Sequence, residues 1–144
     1  MNQNTENSNS MLIHLSALSN YIIPFGSILL PLILWQTTKK DSTYIDHHGK
    51  EAINFNLSFL VYNIVASLLL LFSIGGTVFT AIKAEELGDE IDIASFLFST
   101  GGLLTAIVVL ATIGIIKLIL LIIASVKANQ GILYRYPLSI RFIK

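Results

Sequence analysis

Three stretches of the sequence, residues 7–38, 52–82 and 93–116, contain no Asp, Glu, Lys or Arg. A hydrocarbon core about 30 Å thick is crossed by roughly 20 helical residues, so each stretch is long enough to span a bilayer. A chain of 144 residues could not hide three such runs inside one soluble core. The overall charge agrees: 12% of residues are charged, against about 25% in soluble domains. The expected fold class is an all-α integral membrane protein, a small bundle of three long transmembrane segments. The spans are expected at about residues 11–36, 52–82 and 93–127, within one transmembrane domain covering residues 11–128.

The first run is punctuated. In "IIPFGSILLP", Pro24, Gly26 and Pro31 interrupt the apolar residues. Proline removes a backbone donor and clashes with the preceding turn, so a kink or break is expected near Pro24. Two arrangements follow: one kinked span, or two short helices folded as a re-entrant hairpin, giving four helices in all. Broken backbone at membrane depth is tolerated only where protein or water covers it. The second run carries polar residues at helical spacing. Asn56, Asn63 and Ser67 share one face, and Glu51, Asn54, Ser58 and Tyr62 form a neighbouring stripe. Amide and hydroxyl groups in lipid turn towards other helices, so this stripe is expected to be a buried contact face.

The flanks set orientation. Lys39, Lys40 and Lys50 separate the first two runs, Lys83 alone stands between the second and third, and Lys127, Arg135, Arg141 and Lys144 follow the third. The positive-inside rule then puts the Lys39–Lys50 loop and the C-terminus in the cytoplasm. The acidic loop with Glu85, Glu86, Asp89, Glu90 and Asp92 is expected on the far side. The N-terminal segment "MNQNTENSNS" has no basic residue, as a secretory signal would need; residues 1–10 are expected to be disordered and the first apolar run retained. Residues 129–144 read as a basic tail lying in the interface, with Tyr134 and Tyr136 in the aromatic belt.

Zero formal net charge and the absence of cysteine argue against a nucleic-acid partner and exclude disulfides and thiolate chemistry. The stretch "DHHGKEAINFN" concentrates the ionisable residues at the start of the second run. His47 and Glu51 have the i, i+4 spacing of a zinc helix, but the second histidine is adjacent and points elsewhere; no metal, cofactor or catalytic residue is expected. The favoured reading is an interfacial cap, with Asp46 and Glu51 at the positive end of the helix dipole and Lys50 reaching lipid phosphate. A docking surface formed by His48, Lys50, Glu51, Asn54 and Arg135 is kept beside it. Lys117 interrupts an apolar helix, where a lysine costs about 2.5–3.5 kcal/mol at the bilayer centre. It either snorkels and pairs between helices or lines a polar path with Asn56 and Asn63.

Three stretches together, "HLSALSNYIIPFGSILLPLILW", "DHHGKEAINFN" and "VKANQGILYRYPLSIRFIK", resemble a bacterial membrane family of unknown function. That family is related to the twenty-kilodalton inner-envelope component of the chloroplast protein-import translocon. The resemblance rests on His14, Leu15, Pro24, Gly26 and Pro31; on His48, Gly49, Lys50, Glu51, Ala52, Asn54 and Phe55; and on Lys127, Ala128, Gly131, Tyr136 and Pro137. His47 stands where an acidic residue is usual. The resemblance implies a bacterial inner-membrane location and a link to protein translocation. The expected function is thus a non-enzymatic subunit or accessory factor of a membrane complex. Its partners would be the lipid bilayer and other membrane proteins or further copies of the chain. The alternative is a small oligomeric channel or carrier using Lys117, Asn56 and Asn63.

Overall fold

A computed structural model describes residues 2–40, 42–87 and 93–144. Asp89, Glu90 and Asp92 of the acidic loop lie outside them. The described residues form four α-helices and no strand: α1 (Gln3–Leu15), α2 (Gly26–Thr38), α3 (Thr43–Leu87) and α4 (Ile93–Asn129), with a 3-10 turn (Ser16–Tyr21) after α1. Their contacts divide the chain into two compact units, Met1–Leu60 with Ile116–Lys144, and Val61–Ile115.

In the first unit the punctuated apolar run becomes two helices. α1 and α2 have 13 residues each, about 20 Å apiece at 1.5 Å per residue, too short to cross a hydrocarbon core of about 30 Å. The chain reverses at Phe25, which has φ 60° and ψ 8°. A side chain in this left-handed region is strained, and Gly26 behind it is tightly enclosed. A Cβ there would lie 2.8 Å from the Ser19 carbonyl carbon and oxygen. The two helices pack on each other as a hairpin. Ile13 and Trp35, one on each arm, join Ile45, Ala52 and Ile53 of α3 in a single buried cluster.

α1 begins inside the polar segment that composition alone marks as disordered. Asn2 caps it, its Oδ1 accepting from Asn4 N at 3.4 Å. The polar side chains then enter tertiary contacts: Ser10 is fully buried, and Asn7 Nδ2 donates to the Asn129 carbonyl at 3.2 Å. That carbonyl is one of the last four of α4, which have no partner within their own helix. Tyr44 Oη donates to another, on Ala128, at 2.7 Å. Gly131, at φ 76°, turns the chain out of α4: Ile132 N bonds the Lys127 carbonyl at 3.0 Å and Gly131 N the Ala128 carbonyl at 3.1 Å, the paired bonds of a Schellman stop.

The second unit contains the far part of α3 and the near part of α4. Here the apolar side chains face outward: Phe72 is 83% exposed and Phe98 84%. Small residues occupy the inner positions, with Ala66 and Ala106 buried and Gly102 facing the Ser73 hydroxyl. α3 and α4 have 45 and 37 residues, so each exceeds the length needed to span. Their most apolar windows are only 17% and 11% buried. Water would oppose this much exposed hydrocarbon at about 25 cal/mol per Å², whereas lipid accepts it without penalty. Among the described residues two helices are long and apolar enough to cross a bilayer, and their exposed hydrocarbon marks a helical membrane protein.

Candidate functional site

The buried polar groups of the first unit converge where α1, α3 and the C-terminal tail meet. His14 and His48 are both fully buried, and His14 Nε2 lies 2.9 Å from His48 Nδ1. The other nitrogen of His14, Nδ1, lies 3.0 Å from Tyr136 Oη. With neutral rings, the arrangement that uses every proton along this line has Tyr136 donating to His14 and His14 donating to His48. His48 Nε2 then carries a hydrogen and has no partner at hydrogen-bonding geometry among the described residues; the Ile132 backbone is the polar group that acts on this ring. Aromatic contacts enclose the line. Tyr44 meets His48 edge-on at 4.5 Å, and Phe55 stacks on Tyr136 at 3.8 Å with 13° between the rings.

Burial, with the nearby Tyr134 and Glu51 in support, pushes the Tyr136 phenol well above its usual range. A raised pKa in the folded chain means that folding favours the protonated form. This contribution is complete below about pH 10, the unfolded phenol value, and is lost only at higher pH. The Tyr136 anchor is therefore constant throughout the physiological range.

A second set of bonds fastens the rest of the tail. His47, Glu51, Asn54 and Ser58 are spaced four, three and four residues apart, so they share one face of α3. His47 Nε2 donates to the Tyr134 carbonyl at 3.3 Å. Glu51 Oε2 accepts from Tyr136 N at 3.1 Å. Ser58 Oγ accepts from Ile140 N at 2.7 Å while donating to the Asn54 carbonyl at 2.7 Å. Asn54 uses both ends of its amide: Oδ1 accepts from Phe142 N at 3.0 Å and Ile143 N at 2.8 Å, and Nδ2 donates to the Ile143 carbonyl at 2.8 Å. The tail is irregular backbone. An unpaired backbone group away from water costs about as much as a lost hydrogen bond, and this stripe of side chains supplies the partners that a helix would have supplied internally.

Beside the clamp is a cleft of about 350 Å³, lined from α3 by Asp46, His47, Lys50 and Glu51 and from the tail by Arg135, Arg141 and Lys144. Asp46 bonds Lys50 Nζ at 2.7 Å and accepts from Trp35 Nε1 at 3.1 Å. The chemistry available is hydrogen bonding, anion attraction and the holding of protons along a closed line. Among the described residues no group of three His, Asp or Glu side chains is placed to hold a metal ion.

Against known protein families, residues 5–143 match MamF/MmsF, the magnetosome magnetite crystal formation protein family. The chain belongs to this family. No curated protein and no solved structure matches it. Membership corrects the resemblance to the translocon-related family and removes the inferred link to protein translocation. The physical reason is visible in the motifs that carried that resemblance. Gly26 lets the hairpin close against Ser19, His48 and Glu51 bind α1 and the tail, and Gly131 stops α4. Such residues specify packing, and packing carries a fold without its function.

The MamF/MmsF chain places the residues singled out from sequence as follows. His48, Glu51 and Asn54 are buried and committed to α1 and the tail, whereas Lys50 is half-buried and Arg135 exposed. Asn56 is buried, its Nδ2 donating to the Ala52 carbonyl at 2.8 Å. Lys117 is half-buried in the first unit, without an ion-pair partner among the described residues; Asn63 belongs to the second unit. Sequence reading missed the meeting of His14, His48 and Tyr136. Their separations of 34 and 122 residues leave no local pattern.

Proposed function

We propose that this protein is a non-enzymatic resident of the membrane in which magnetite crystals form, acting as a subunit or accessory factor through lateral contacts with other membrane proteins or its own copies. The family match over residues 5–143 carries this reading. The outward apolar faces of α3 and α4 support residence in a bilayer, because water would oppose their exposure and lipid does not. In this proposal the α1–α2 hairpin re-enters from the cytoplasmic side of the inner membrane or of a compartment continuous with it. Lys39, Lys40, Lys50 and the basic tail then face the cytoplasm, and the acidic loop faces the other side.

The test is expression in a magnetite-forming bacterium that lacks its own family member. Crystal dimensions by electron microscopy should return towards normal, with the tagged chain fractionating with the crystal-bearing membrane. Correctly inserted protein that leaves the crystals defective would refute the role. Orientation is checked separately, since the chain has no cysteine. In spheroplasts, Glu86→Cys should react with an impermeant maleimide and Lys144→Cys should react only after lysis; the reverse pattern overturns the topology.

A further inference from the structure

The α3 side chains that fasten the tail are committed to its backbone, whereas the cleft beside them holds cations without such partners. Four cationic side chains, Lys50, Arg135, Arg141 and Lys144, line it against two carboxylates, Asp46 and Glu51. Both carboxylates are already engaged, Asp46 with Lys50 and Trp35 and Glu51 with the Tyr136 backbone. Arg135 and Arg141 are exposed, and among the described residues no carboxylate pairs with either. Two guanidinium groups with unused donors, next to a lysine and polar α3 side chains, form a site complementary to a phosphate group, since guanidinium matches phosphate in a two-pronged fashion.

Position identifies the source of the phosphate. Lys50 and Glu51 immediately precede the charge-free run that begins at Ala52 on the same helix. The tail side of the cleft carries exposed apolar residues beside its arginines, Ile140 and Phe142 among them. A basic cleft bounded in this way belongs at headgroup depth, where lipid phosphate is concentrated and anionic lipids attract Lys and Arg. We infer that the cleft between α3 and the C-terminal tail binds the phosphate headgroup of an anionic glycerophospholipid, through Lys50, Arg135 and Arg141.

Neither arginine side chain takes part in the bonds that fasten the tail, so the double variant R135Q/R141Q should fold like the parent. The full chain, purified in a neutral detergent, is incubated with phosphatidylglycerol or phosphatidylcholine, and retained lipid is counted by native mass spectrometry. The parent should retain phosphatidylglycerol in preference to phosphatidylcholine, and R135Q/R141Q should bind it about tenfold more weakly or less. Inorganic phosphate at millimolar concentration should not displace the lipid. Equal retention of the two lipids, or equal binding by parent and variant, would overturn the site. Full displacement by inorganic phosphate would overturn the lipid as its ligand and assign the cleft to a soluble anion.

Discussion

Asn54→Leu should release the end of the C-terminal tail while leaving the helices in place. The substitution keeps a similar volume and removes all three hydrogen bonds that the amide makes to Phe142 and Ile143. Stranding a buried polar group costs about 1–3 kcal/mol. Phe142 is exposed and Ile143 half-buried, so the tail end can instead peel away and recover its bonds from water. The expected result is a local opening, not global unfolding. Hydrogen exchange at the Phe142 and Ile143 amides should accelerate on the order of 10- to 100-fold, which corresponds to about 1.4–3 kcal/mol. Protection within α3 and α4 should change little. Ser58→Ala removes the acceptor for a single amide, Ile140 N, and should give a smaller acceleration centred on that residue. Unchanged exchange at residues 142 and 143 in Asn54→Leu would mean that the tail is not held by this stripe.

The same stripe shows how far sequence reading reaches. Glu51, Asn54 and Ser58 could be recognised as a buried contact face because helical geometry alone puts them together and lipid penalises exposed amides. Their partner could not be recognised, because it is backbone. The N–H groups of Tyr136, Ile140, Phe142 and Ile143 belong to any residue type and leave no trace in composition. The break between α1 and α2 was readable from Pro24 and Gly26, but the residue that takes the left-handed conformation is the exposed Phe25, where local propensity would favour a glycine. Tyr136 reads as an interfacial aromatic from its basic neighbours. In the fold it is 7% exposed, because His14 offers its hydroxyl an acceptor and Phe55 offers its ring a stacking surface. The charge-free runs revealed the membrane, since that inference needs only length and charge. The count of spans did not follow with the same force, because a run of sufficient length can still be divided by a turn.

Gly49→Ala should destabilise the protein strongly, against the usual sign of that substitution. In a helix interior alanine is normally favoured over glycine by about 0.5–1 kcal/mol. At Gly49 of α3, however, an added Cβ would overlap Cδ1 and Cγ of Trp35 and lie 2.6 Å from its Nε1. Trp35 is 5% exposed and packed with Ile13, Ile45, Ala52 and Ile53, so it cannot swing aside without opening that cluster. Moving it also breaks the Trp35 Nε1 donation to Asp46 Oδ1 at 3.1 Å. Overpacking of this kind costs about 1–3 kcal/mol, and the lost hydrogen bond adds about 0.5–1.5 kcal/mol. Together these costs exceed the gain in helix propensity. Thermal unfolding in detergent should therefore shift downward by several degrees. The fluorescence of Trp35, the only tryptophan, should move to longer wavelength as the ring loses its burial. Gly114→Ala is the control: nothing lies within 4 Å of a Cβ built there, so the same exchange in α4 should be neutral or mildly stabilising. If Gly49→Ala matched the parent in both stability and emission, Trp35 could not be seated on α3 at this glycine, and the docking of the hairpin through it would be wrong.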